Sequence, residues 1–175
     1  RWGELPPIVL ASLRQKMVQL ADDIAQGAVW ANAARSYMPT SLSFVERHRD
    51  DDTFFLGNMI PTCISEDRSA AMAVLRKVLA GYVTLPNYRK YWSDAGYAEE
   101  MQAIERGLAA GDRDAVNAAM TDTWLADVTL FGTASQVRDS VAAWYDTGLR
   151  TVILVPSSTS GGQLQAVREV FAAFE

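Results

Sequence analysis

Short strand-like runs near residues 7–11, 27–31, 54–64 and 151–155 are separated by stretches whose apolar residues recur every three to four positions. Unbroken apolar runs mark strands buried on both faces, and helices between them require crossovers, hence parallel pairing with right-handed connections. This alternation constrains the chain more than any other feature, and it predicts an α/β fold. The clearest strand is Thr151-Val152-Ile153-Leu154-Val155, ended by Pro156.

The helices follow from the same pattern. Ser12 is expected to cap a helix that buries Leu13, Met17, Leu20 and Ile24 and ends at Gly27. Asp67 or Ser65 caps a helix over 68–83, which Pro86 stops. Helices are predicted at 97–109 and 113–127, the second capped by Asp112, and another runs from a Thr133 cap through Tyr145 with Gly148 behind it. Residues 32–53 read as irregular, and residues 157–162 as a small-residue loop before a last helix to Phe174. Four strands cannot close an eight-stranded barrel, so the pattern is half of one or a small open sheet.

At 175 residues the chain is expected to be a single domain, 1–175, and its 49% hydrophobic and 21% charged residues suit a packed core rather than disorder. A net charge of −5 without a basic block argues against nucleic acid. One cysteine, Cys63, allows no internal disulfide and fits a reducing, cytoplasmic location. No apolar run reaches the roughly 18–20 residues of a membrane span. Arg1-Trp2-Gly3-Glu4 leads straight into the first strand without a leader or an initiator methionine, as in the middle of a longer protein.

Leu85 to Met101, dense in aromatics, is followed by a helix that Gly111-Asp112 opens and then by Leu130-Phe131-Gly132-Thr133-Ala134. In this order of pieces the chain resembles the C-terminal half of the luciferase-like monooxygenases, flavin- or deazaflavin-dependent (β/α)8 TIM barrels, with a helical insertion. The resemblance runs from Pro6 to Glu175. It implies a two-substrate redox reaction on a small organic substrate with FMN or coenzyme F420. It also implies that the family's N-terminal half, with most substrate-facing and ring-facing residues, lies outside this sequence, so catalytic residues are not assigned.

In that family the cofactor phosphate sits at the turn after a Pro-Ile-type strand, here Pro7 to Lys16. The resemblance therefore implies cofactor contacts at Ala11, Ser12, Leu13, Arg14 and Lys16, although Leu13-Arg14 replaces the family's frequent Gly-Pro. A helix N-terminus with free N–H groups favours an anion there. Gln26-Gly27 stands where the family usually has Asp-Gly, and Asn32, at the mouth end of that strand, is expected to face the cofactor. Thr62, Cys63, Ser65 and Pro156 to Ser158 are further mouth positions by the same rule.

Other candidates have plain readings. His48 reads as a solvated loop residue, Cys63 as a small buried hydrophobe and Asp50-Asp51-Asp52 as an exposed loop, and no metal is expected. Tyr82, Tyr88, Tyr91, Trp92 and Tyr97 could wall a pocket, pack the inserted helices or form an interface. Residues 157–162 could cradle phosphate or merely connect. The chain is expected to associate, either with its own copies or with the missing half. A non-catalytic flavin binder, a dimerising half-barrel and a cofactor-free interaction domain remain the alternatives.

Overall fold

The computed structural model describes residues 6–175, so the lead-in read at Arg1 to Glu4 lies outside the described residues. The chain runs β1 (Val9–Ala11), α1 (Gln15–Ile24), β2 (Gly27–Ala31), α2 (Met38–Leu42), β3 (Phe55–Ile64) and α3 (Arg68–Leu79), then a 3-10 turn at Tyr82–Thr84. Four helices follow: α4 (Pro86–Asp94), α5 (Ala98–Ala110), α6 (Arg113–Ala119) and α7 (Asp122–Val128). The chain ends with β4 (Leu130–Gly132), α8 (Ala134–Tyr145), β5 (Thr151–Ser157) and α9 (Gln163–Phe174).

Every strand pair is parallel, as the alternating pattern predicts. β3 is the hub. β2 pairs with its residues 55–59 and β4 with 62–64, while β5 pairs along 57–63. The overlap puts β2 and β4 on one edge of β3 and β5 on the other. Met59 O accepts the Asn32 N–H and Ser65 donates to Gly132 O, so the odd-numbered residues of β3 address the β2/β4 edge. Pro61 falls in the gap between Met59, the last partner of β2, and Thr62, the first of β4. A proline is tolerated mid-strand there because its missing N–H would have met no acceptor. At Gly27 an added Cβ would stand 2.5 Å from Phe55 Cβ. Gly27→Ala is therefore expected to part β2 from β3 and to cost about 1–3 kcal/mol in a denaturant titration.

Four corrections to the sequence reading arise here. A fifth strand, β4, lies just before the Thr133 cap, where no strand was expected, because three residues are too few to carry a period. The stretch 113–127 is two helices, because Thr121 caps α7 by accepting the Trp124 N–H. The 68–83 helix ends at Leu79. The irregular stretch 32–53 holds the short α2. The caps expected at Asp67, Asp112 and Thr133 are present, the last as a capping box with Gln136.

A fifth correction concerns α1. Its N-cap is Arg14, with no side-chain cap bond. Ser12 instead turns its hydroxyl to the backbone oxygens of Leu10 and Met17. The helix buries Val18, Ala21 and Asp22, while Met17, Leu20 and Ile24 are exposed. The apolar stripe exists, but the small residues lie against the sheet and the large ones stand away from it.

One sheet face is buried against helices through Leu10, Ala28, Trp30, Leu56, Asn58, Ile60, Thr62, Val152 and Leu154. The opposite face carries Val9, Val29, Met59 and Ile153, exposed or half-buried, with Met59 paired to Ile153. The inserted helices α4–α7 pack through Trp92 and Trp124, both fully buried and edge-to-face at 4.9 Å.

Candidate cofactor-binding mouth

The strands' C-terminal ends form the mouth, and α1 begins there. The backbone N–H groups of Leu13, Arg14, Gln15 and Lys16 have no acceptor among the described residues. They are the orphan donors of a helix start. The same four residues line a cavity of about 540 Å³. Its far wall is Tyr37, Phe44, Asn87, Tyr91 and Asp94. Arg14 reaches across to Asp94 at 3.4 Å, and Lys90 holds the same carboxylate at 3.1 Å.

The other expected site residues are placed as follows. Ala11 ends β1 and is exposed, opposite Val29. Ser12 is buried, and its N–H goes to Val29 O. Its single hydroxyl proton is also given to backbone oxygen, so neither donor is open toward the cavity. Asn32 is only 4% exposed and lies outside the cavity wall. Its backbone is left-handed, with φ 55°, and its Nδ2 has no partner. Tyr88 stands beside its side chain, and burial pushes that phenol up from its ordinary value.

The helical insertion is tied to this mouth. Trp92 Nε1 donates to Asn32 O at 3.1 Å, and the Tyr91 hydroxyl accepts the Ala34 N–H at 3.2 Å. Asp127 accepts from Ser36 N at 3.0 Å, Ser36 Oγ at 2.6 Å and Tyr97 Oη at 2.9 Å. Burial and the adjacent carboxylate push the Tyr97 phenol up, so it stays a donor. Thus Tyr91, Trp92 and Tyr97 pack and fasten the insertion, and Tyr91 also walls the cavity. Asp127, Asn87 and Asp94 gave no signal in sequence, since single polar residues become partners only once distant helices meet.

Thr62 is fully buried on the helix-packed face, and its hydroxyl donates to Ile60 O. Cys63 is buried, and desolvation pushes its thiol up to about 11, which keeps it protonated and inert. Ser65 remains at the mouth, 3.5 Å from the Thr159 hydroxyl. The 157–162 loop is held by Glu169, which accepts from Ser158 Oγ at 2.9 Å. His48 is corrected: its Nδ1 lies 3.0 Å from Asp22 and its ring stacks on Phe54, at the end of the sheet away from the mouth. Among the described residues no cluster of three or more His, Cys, Asp or Glu could hold a metal, and no helix is long and apolar enough to cross a membrane.

A parallel α/β sheet with a helix start and cavity at the strands' C-terminal ends is the arrangement of barrel enzymes. Residues 2–151 match the model of the luciferase-like monooxygenases, and the chain belongs to that family. Similar solved structures include the coenzyme F420-dependent tetrahydromethanopterin reductase from Methanopyrus kandleri. It is 16% identical, with TM-score 0.73, over 97% of this chain and 51% of that one. An F420-dependent secondary alcohol dehydrogenase in complex with an F420-acetone adduct matches at 14% identity and TM-score 0.61, over 98% of this chain and 50% of that one. At such identities the likeness shows the fold, and the chain spans about half the length of these TIM-barrel neighbours. No curated protein sequence matches it.

Proposed function

We propose that this chain carries the cofactor-phosphate side of a flavin- or F420-dependent oxidoreductase barrel, with the phosphate at the start of α1. The carrying observation is the set of four unpaired N–H groups, Leu13 to Lys16, on residues that line a cavity and include two cations. Backbone donors and the helix dipole suit a phosphate dianion, and Arg14 and Lys16 add charge. The residues therefore fit the phosphate end of FMN or F420. Two neighbours whose names specify F420 favour the deazaflavin. Bound there, either ring would supply hydride or oxygen chemistry.

The chain's own residues hold and orient the cofactor. Leu13 to Lys16 grip the phosphate through backbone N–H groups, and Tyr37, Phe44 and Tyr91 form the apolar wall. Ser12 acts by fixing the turn rather than by direct contact, since its donors are engaged. Ala11 and Asn32 belong to the ring side of the mouth, where the unpaired Asn32 Nδ2 is a donor for a cofactor or substrate oxygen. Without a second half the ring lacks most of its pocket, so the isolated chain is expected to bind FMN weakly and to show no turnover of reduced flavin.

Asp94 supplies a direct test. Its carboxylate holds Arg14 and would repel a phosphate. Asp94→Asn is expected to tighten FMN binding roughly 3- to 10-fold at low salt, with the gain shrinking as salt rises. Arg14→Ala with Lys16→Ala should weaken binding by at least that factor. Fluorescence titration reads both, and unchanged affinity in the double variant would dismiss the phosphate assignment.

A further inference from the structure

The cavity beside the start of α1 is larger than a bound phosphate requires. At about 540 Å³ it falls in the range, roughly 300–1,000 Å³, of pockets that enclose a whole small ligand. A water takes about 30 Å³ and a phosphate group a few times that. The cofactor ring does not account for the rest. Its side of the mouth is Ala11, at the end of β1, and Asn32, just past β2, and neither residue lines the cavity. Both walls belong to this chain, and Arg14 and Asp94 join them at 3.4 Å.

We infer that the phosphate held at this turn is a diester, and that its second arm ends in a carboxylate lying along the far wall. The inference rests on the phosphate reading above and names the cofactor class that the same site takes. Space is the first argument. A monoester such as FMN ends at the turn and leaves the far wall without a partner, whereas a second arm on the phosphate continues into the cavity.

Charge is the second argument. Arg14 and Lys16 line the cavity, and Lys90 stands beside it, 3.1 Å from Asp94. These three cations face one carboxylate, that of Asp94. A diester phosphate carries a single negative charge, against nearly two on a monoester at neutral pH. The remaining positive charge suits an anionic arm. Asp94 is already held between Arg14 and Lys90, so the free hydrogen-bond donor of that wall is Asn87. Asn87 is exposed in the first turn of α4, and its backbone N–H has no acceptor among the described residues. Phe44 and Tyr37 supply apolar surface for the carbons of the arm.

Three ligands with one flavin ring test this: FMN, its methyl ester, and its ester with glycolate, whose arm ends in a carboxylate. In fluorescence titrations at low salt the chain is expected to bind the glycolate ester roughly 3- to 10-fold tighter than the methyl ester, with the gain shrinking as salt rises. Asn87→Leu should bring the two esters to within about 2-fold of each other. In the 15N-labelled wild-type chain the glycolate ester should shift the side-chain amide of Asn87 and the backbone amide of Phe44, while FMN and the methyl ester leave both in place. Equal affinity for the two esters, a gain that survives Asn87→Leu, or an Asn87 signal that does not move would each overturn the inference and leave the phosphate at its turn. If none of the three ligands shifted the amides of Leu13 to Lys16, the phosphate reading would fall and this inference with it.

Discussion

Trp92→Ala is expected to destabilise the chain by about 3–5 kcal/mol, the range for deleting a buried tryptophan. Trp92 is fully buried, packs edge-to-face on Trp124 and donates to Asn32 O, so three losses coincide. The cavity left behind separates the insertion from the sheet. The left-handed Asn32 loses the bond that holds its carbonyl. Thermal unfolding should fall by on the order of 10 °C. Trp92→Phe keeps much of the ring contact and loses the N–H bond, so it should cost about 1–2 kcal/mol. Equal losses in both variants would show that the indole N–H, rather than packing, fixes the insertion.

Asp22→Asn is the second large effect, at about 2–4 kcal/mol. The buried Asp22 carboxylate accepts the N–H groups of Glu46, Arg47 and His48 at 2.8–3.1 Å, and His48 Nδ1 at 3.0 Å. Burial opposes its charge, but these four donors outweigh burial and hold the carboxyl below its ordinary 3.8. An asparagine turns an NH2 group toward donors. The sign of the pH dependence follows from the lowered value. The stabilisation is present above pH 3.8 and is lost as the pH falls through the lower folded value. Denaturant titrations should therefore show wild type and variant converging in acid. A gap that widened in acid would contradict this account of Asp22.

The fold was legible wherever a pattern was long enough to repeat. The long β3, the β5 strand and the caps at Asp67, Asp112 and Thr133 follow from apolar runs and from side chains that bond their own backbone. β4 was not legible, because three residues carry no period and its identity comes from pairing with Thr62 to Ile64. The α1 face was misread for a specific reason. Met17, Leu20 and Ile24 keep helical spacing, but burial went to Val18 and Ala21, whose size suits close approach to β2. Periodicity locates a stripe and does not say which of two stripes meets the sheet.

The mouth was legible in part. Leu13, Arg14 and Lys16 line one cavity, as the turn after β1 suggested, whereas Asn32 lies outside its wall. The far wall comes from Tyr37 and Phe44 on either side of α2 and from α4, more than twenty residues away in sequence, and no local spacing announces it. His48 read as solvated because Asp22 lies 26 positions earlier and meets it only when α1 packs on the loop.

The phosphate site at the start of α1 is the central claim, and amide NMR of the 15N-labelled chain tests it most directly. FMN and riboflavin share a ring and differ in the phosphate. FMN should shift the amides of Leu13, Arg14, Gln15 and Lys16 progressively, while riboflavin at the same concentration should leave them in place. Equal shifts with both ligands, or FMN shifts confined to residues away from this turn, would contradict the assignment.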